Sequence, residues 1–252
     1  MKKILLLCML FSTVVLAQNN LGQLAYQYFQ QGEYSKAIEI YKELNQKNVS
    51  ASYFNPYLNC LIQIEDYKSA EKLVSKIIRK YPKSLNYQVD LGFLQKKQGK
   101  EKKAKKAYQS AIDRLSKQSS QAIGLGNAFL LRKEYEFALA TYQKAKDLSP
   151  TYPFDMQIAN VYNQMGDSEN MIVSYLNLIK QNPNQKQSVK NNLQRFLNND
   201  GIKSSKNYKI LKKQLLKFVQ EEKSGTDFSD MLIWFFMQNN QFELAFFQAK
   251  AI

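Results

Sequence analysis

The sequence of 252 residues contains no histidine. That absence removes histidine metal ligands, Ser-His-Asp triads and imidazole acid–base chemistry. Only two cysteines are present, too few for a disulfide framework. Nine glycines and five prolines argue against collagen-like, proline-rich or turn-dense all-β designs. Acidic residues are also scarce: 21 Asp and Glu face 36 Lys and Arg, for a formal net charge of +15. The 44% hydrophobic and 23% charged composition is that of a globular chain. No phosphate-binding loop, cysteine-pair metal site or nucleophile elbow is found. The acids are scattered over helix surfaces, so the sequence predicts no enzyme, metal or cofactor and no small-molecule substrate.

The one long apolar run is Ile4 to Leu16, after Lys2 and Lys3. At about thirteen residues it is short of the roughly twenty needed to span a bilayer. Val15 and Ala17 put small residues at the positions a signal peptidase reads, so 1–17 is expected to be a signal peptide cleaved before Gln18. Leu5-Leu6-Leu7-Cys8 imitates a lipoprotein box, but it leaves too short an apolar stretch before the cysteine. The mature chain would be exported to the periplasm or the outer-membrane periphery. It would carry a net charge of +13 and one thiol, Cys60, read as a buried small hydrophobe.

The rest of the chain repeats itself. Ala37, Ala70, Ala104, Ala138 and Met171 are spaced by 33 or 34 residues. A second set lies twelve residues earlier: Ala25, Leu58, Gly92, Gly126 and Ala159. A third, mostly aromatic set lies four residues after the first: Tyr41, Val74, Tyr108, Tyr142 and Tyr175. Pro82, Pro150 and Pro183 close three of the five units. Each unit predicts two amphipathic helices joined by a short turn, with small residues where the helices approach and an aromatic packed across. No such pair buries its apolar face alone, so neighbouring units must stack.

The pattern Leu-Gly, Gly, Ala, Tyr, Ala and Pro resembles the tetratricopeptide repeat. Leu125-Gly126, Phe129, Tyr135, Ala138, Tyr142, Ala145 and Pro150 carry it most fully, and Leu91-Gly92, Gly99, Ala104, Tyr108 and Ala111 carry it in the preceding unit. Met171 and Gln95 depart from it. The resemblance implies an all-α, right-handed solenoid of antiparallel helix pairs. Five repeats would fill 18–184. An irregular basic pair, Ser188–Asn198 and Ser205–Glu222, would occupy 185–226, broken at Asn199-Asp200-Gly201. A further repeat, truncated, would occupy 227–252, with Phe235, Phe236, Phe242, Phe246 and Phe247 partly uncovered.

In this family the first helices line a concave surface that takes extended peptides. The matching residues here are Tyr26, Asn59, Phe93, Asn127 and Asn160, with Leu130 and Asn163 a turn further on. An amide both donates and accepts, which suits a peptide backbone. The lysine of a carboxylate-clamp pattern is missing: Gly22, Asn55, Val89, Ile123 and Met156 stand in its place. Recognition of a free carboxyl terminus is therefore not expected.

The positive charge is concentrated in two segments. Residues 96–106 hold seven lysines and one acid, including Lys96, Lys97, Lys102, Lys103, Lys105 and Lys106. Residues 186–223 hold ten Lys or Arg and three acids, with Lys206, Lys209, Lys213 and Lys217 opposite an apolar stripe. These are read either as solvated faces or as docking patches for an acidic protein or a membrane surface. Export argues against nucleic acid. With the expected export, the resemblance implies a non-enzymatic scaffold or adaptor of a bacterial cell envelope, Bacteroidota-like in composition, holding protein segments for an assembly, secretion or motility machine. Two alternatives remain: a targeting domain of a longer protein, and a self-associating structural solenoid.

Overall fold

The computed structural model describes residues 21–45, 51–198, 206–221 and 226–252. The expected signal peptide and the Asn199-Asp200-Gly201 break lie outside them. The described residues form helices with no strand. The chain divides into two compact units, Met1–Arg114 and Leu115–Ile252.

The first unit holds three helix pairs: α1 (21–30) with α2 (Tyr34–Leu44), α3 (Ala51–Gln63) with α4 (Tyr67–Lys80), and α5 (Asn86–Lys97) with α6 (Glu101–Asp113). The second begins with α7 (Ser119–Leu131) and α8 (Tyr135–Leu148), then α9 (Asp155–Met165) and α10 (Ser168–Gln181). A 3-10 turn, Pro183–Gln185, leads into α11 (Lys186–Asn198) and α12 (Lys206–Glu221). The last pair is α13 (Asp227–Gln238) and α14 (Phe242–Lys250).

One turn recurs in six of these pairs. Gly32, Gly99 and Gly166 have φ of +72 to +76°, and Glu65, Lys133 and Asn240 occupy the same left-handed region at +53 to +58°. The N–H of the following residue reaches five residues back: Glu33 to the Tyr28 carbonyl, Asp66 to Leu61, Lys100 to Gln95, Glu134 to Phe129, Asp167 to Tyr162 and Gln241 to Phe236. A second bond spans three residues, as from Gly99 N–H to the Lys96 carbonyl at 2.9 Å. These are Schellman motifs, which satisfy the last carbonyls of the first helix and reverse the chain into the second. A residue with a Cβ is strained there by roughly 1 kcal/mol. Lys133→Gly is therefore expected to raise stability by about 0.5–1 kcal/mol, and Gly99→Ala to lower it by a similar amount. Denaturant unfolding of the two variants checks both signs.

The phased small and aromatic positions meet inside the pairs. A Cβ at Gly92 would press into the ring of Tyr108, and one at Gly126 into the ring of Tyr142. Both rings are at most 1% exposed. The first unit's core collects Ala25, Ala37, Tyr41, Leu58, Ala70, Val74 and Ile77, with α3 adding Phe54 and Leu61. Pro56 sits inside α3, so the Ser52 carbonyl receives no bond from position 56. Nothing in the repeat pattern anticipated that proline.

In the second unit Val189, Leu193, Leu211, Leu215 and Phe218 from the irregular pair join one core with α10 and α13. The described helices of this stretch are α11 and α12. One expectation needs correcting. Phe235 and Phe236 are buried, because α12 lies on them: Tyr208 packs its ring 4.9 Å from Phe235. Phe242, Phe246 and Phe247 on α14 are 57–65% exposed. Lys186, opening α11, bonds Asp227 and Asp230 in the first turn of α13 at 2.6 and 3.0 Å, where the acids also suit the helix dipole.

Candidate functional site

The candidate site is built from the first two pairs. Tyr26 and Phe29 stand three residues apart on α1, and Asn55 and Asn59 four apart on α3, so each pair shares a helix face. The four line one hollow of about 570 Å³, with Gln23, Ser52 and Pro56 at its edges and the Tyr41 and Tyr53 rings as its wall. Tyr26 lies 6.0 Å from Phe29, and Tyr41 6.1 Å from Tyr53, ring to ring. Tyr26 is half exposed, and its hydroxyl accepts from the Gln30 amide at 2.6 Å. Asn59 is half-buried.

The hollow contains no charged side chain. Its lining supplies aromatic rings, three of them phenols, with three amides and one serine hydroxyl. Such a surface can bury an apolar side chain while an amide pairs with a neighbouring peptide group. Burial pushes the Tyr41 phenol up to about 12, with Cys60, Tyr26 and Tyr53 acting in the same direction, so that ring stays neutral. Cys60 lies behind it, fully buried and pushed up to about 11 by that burial, which leaves it a packing group and not a nucleophile.

The other expected groove residues distribute differently. Phe93 is half-buried and lies outside the hollow, under the Lys97 ammonium 5.7 Å from its ring. Asn127, Asn160 and Asn163 are exposed in the second unit. The Asn127 carbonyl oxygen accepts from the Tyr142 hydroxyl at 3.3 Å. Leu130 is buried at 9% exposure, so it is a packing residue and not a surface contact.

The lysines of the first basic segment, Lys96, Lys97, Lys102, Lys103, Lys105 and Lys106, are all exposed around the α5–α6 turn. On α12, Lys206, Lys209, Lys213 and Lys217 are exposed opposite Tyr208, Leu211, Leu215 and Phe218. Two of them face acids: Lys213 lies 3.5 Å from Glu169 and Lys217 3.9 Å from Glu221. Exposed pairs of this kind contribute at most about 1 kcal/mol.

Two buried acids, Asp90 and Asp155, were not singled out from the sequence. Asp155 is 3% exposed; both its oxygens accept from Lys146 at 2.9 and 3.0 Å, and one also accepts from Gln181 at 3.0 Å. It ties α8, α9 and α10 together, and its bonds are structural. Among the described residues no group of three or more acids and cysteines is placed to hold a metal. No described helix is long and apolar enough to cross a membrane.

Tetratricopeptide-repeat family models match 23–48, 88–115 and 156–185. No curated protein matches the chain. Among solved structures, a thermophilic tetratricopeptide-repeat protein of Thermus thermophilus is 16% identical over 69% of this chain and 95% of its own, at a TM-score of 0.37. The C-terminal part of a repeat-containing protein of Cytophaga hutchinsonii is also 16% identical, over 91% and 94%, at 0.35. MamA of Desulfovibrio magneticus is 15% identical over 67% and 96%, at 0.35. These likenesses concern the fold alone. The chain carries tetratricopeptide repeats, an architecture of protein–protein interaction scaffolds.

Proposed function

We propose that this tetratricopeptide-repeat chain is a non-enzymatic adaptor of the bacterial cell envelope that holds an extended, uncharged protein segment on the first helices of its repeats. The observation that carries the reading is the hollow lined by Tyr26, Phe29, Tyr53, Asn55 and Asn59. An apolar side chain would enter between the rings, and the asparagines would pair with the flanking backbone. No cation stands in the hollow to neutralise a terminal carboxylate. Export, inferred from residues 1–17, would place the adaptor in the periplasm, where the lysines of α6 and α12 would orient it toward an acidic partner or the membrane surface.

A photo-crosslinking residue at Asn59, used in intact cells, tests this. One dominant protein adduct is expected, and Tyr26→Ala should reduce it about tenfold or more, since truncating an aromatic anchor commonly costs over 1 kcal/mol. Equal adducts from a probe at exposed Lys102 would overturn the groove reading. Fractionation of the same cells tests export: recovery with the cytoplasm would count against it.

A second reading is favoured by α14, where Phe242, Phe246 and Phe247 are exposed together. Such a cluster suits self-association. Concentration-dependent sedimentation that disappears in Phe247→Asp is the expected sign; its persistence would remove this reading.

A further inference from the structure

A second hollow of about 380 Å³ lies in the first unit on a different face of α3. Lys42 and Asn45 reach it from the end of α2, Tyr57 from α3, and Ser69, Lys72 and Lys76 from α4, with Leu73 at the floor. It shares no residue with the hollow at Tyr26 and Asn59. Its basic residues belong to neither lysine-rich segment.

The electrostatics are one-sided. Three ammonium groups line the hollow and no carboxylate does. Lys72 and Lys76 are one helical turn apart, an unfavourable like-charge spacing. Lys36 and Lys213, by contrast, each lie beside an acid, Glu33 and Glu169. Lys42, Lys72 and Lys76 form no ion pair among the described residues.

Two acids nearby are engaged elsewhere. Asp66 caps α4, accepting from the Ser69 N–H at 3.0 Å, and the bonds it receives from Ser69 hold its carboxyl below the usual range. Glu71 accepts from the Gln98 amide at 2.9 Å. Burial, and then the charges of Asp66 and Cys60, push the Tyr57 phenol upward, so it remains an O–H donor. The Asn45 amide is anchored to the Tyr41 carbonyl at 2.8 Å and fixes the rim.

Three lysines lining one hollow with a tyrosine, and no acid among them, suit a compact, multiply charged oxyanion. Lysines hold phosphate in this manner, whereas a planar carboxylate is better met by an arginine fork. The volume lies at the lower end of the range for small-molecule sites, roughly 300–1,000 Å³. We propose that this hollow binds a phosphoryl group, free or carried on a small molecule, between Lys42, Lys72 and Lys76, with the Tyr57 hydroxyl donating to one of its oxygens.

Lysine acetylation of the whole mature protein, read by mass spectrometry at constant ionic strength, tests the site. Pyrophosphate should slow modification of Lys42, Lys72 and Lys76 and leave Lys102 and Lys103 unchanged. Equal protection by orthophosphate would assign the free anion; protection only by pyrophosphate or glycerol 2-phosphate would assign a larger phosphorylated ligand. Calorimetry should show Lys72→Gln with Lys76→Gln weakening pyrophosphate binding about tenfold or more, as expected for losing two charge-assisted bonds. Lys102→Gln with Lys103→Gln, the same change in net charge, should bind as the parent does. No protection, uniform protection of all lysines, or equal weakening in the two double variants would each overturn the proposal.

Discussion

Gly126→Leu is expected to destabilise the second unit by about 3 kcal/mol, and adding Tyr142→Val is expected to restore part of that loss. A Cβ at 126 would stand 2.7 Å from Cε1 of Tyr142 and closer still to Cζ. The ring has nowhere to go. It is 0% exposed, stacks on Phe154 with centroids 6.0 Å apart, and its hydroxyl is tied to Asn127. Tyr142→Val alone would leave a cavity costing a comparable amount. The second repeat shows how the two losses offset each other. Its corresponding residues are Leu58 and Val74, both 0% exposed in one core. A large first-helix residue there accompanies a small second-helix residue, the inverse of Gly126 with Tyr142. The double variant copies that exchange of volume. Denaturant unfolding of the four proteins gives the coupling: the double variant should be more stable than either single variant. Simple additivity would show that glycine at 126 is not required by the ring.

That exchange also indicates why so much of the fold was legible. Each phased position repeats one steric demand: small where helices touch, bulky where a ring crosses, and a left-handed residue at the turn. Periodic demands leave periodic residues, and five of the six turns fall within the five repeating units. Glu65 and Lys133 carry the turn without glycine because the Schellman hydrogen bonds outweigh roughly 1 kcal/mol of strain; their side chains alone do not report φ. Legibility ended where the period did. Phe235 and Phe236 read as uncovered because nothing in a 34-residue register told that α12 would lie across them. Leu130 sits one turn after a surface asparagine, yet α7 has already rotated it into the core. Of the expected groove residues, Tyr26 and Asn59 line one hollow, while Phe93 falls outside it. The phosphoryl site left no local signal. Lys42 and Lys72 are thirty residues apart, so a search for runs of charge passes over them.

Alkaline solution should unfold the protein between about pH 10 and pH 12, and the buried tyrosines should account for most of the effect. Tyr41 and Tyr142 are 1% and 0% exposed, and burial pushes each phenol up to about 12. In the unfolded chain a tyrosine titrates near 10. Their folded values are raised, so the stability they contribute is complete below about pH 10. It falls as pH rises toward 12, by about 1.4 kcal/mol per unit for each phenol. Two such phenols over two units amount to roughly 5 kcal/mol, comparable with the whole stability of many domains. Cys60, pushed to about 11 by burial, acts in the same direction. So does Lys186: burial lowers its pKa, but the bonds from Asp227 and Asp230 outweigh that and raise it. Lys190 opposes them, since burial and the Lys186 charge depress it. Tyr41→Phe with Tyr142→Phe removes the two largest contributions while keeping both rings packed. Circular dichroism against pH should then show a shallower decline and a higher midpoint. An unchanged midpoint would mean that the tyrosinates are accommodated by local opening, and that the two rings are held less tightly than their burial implies.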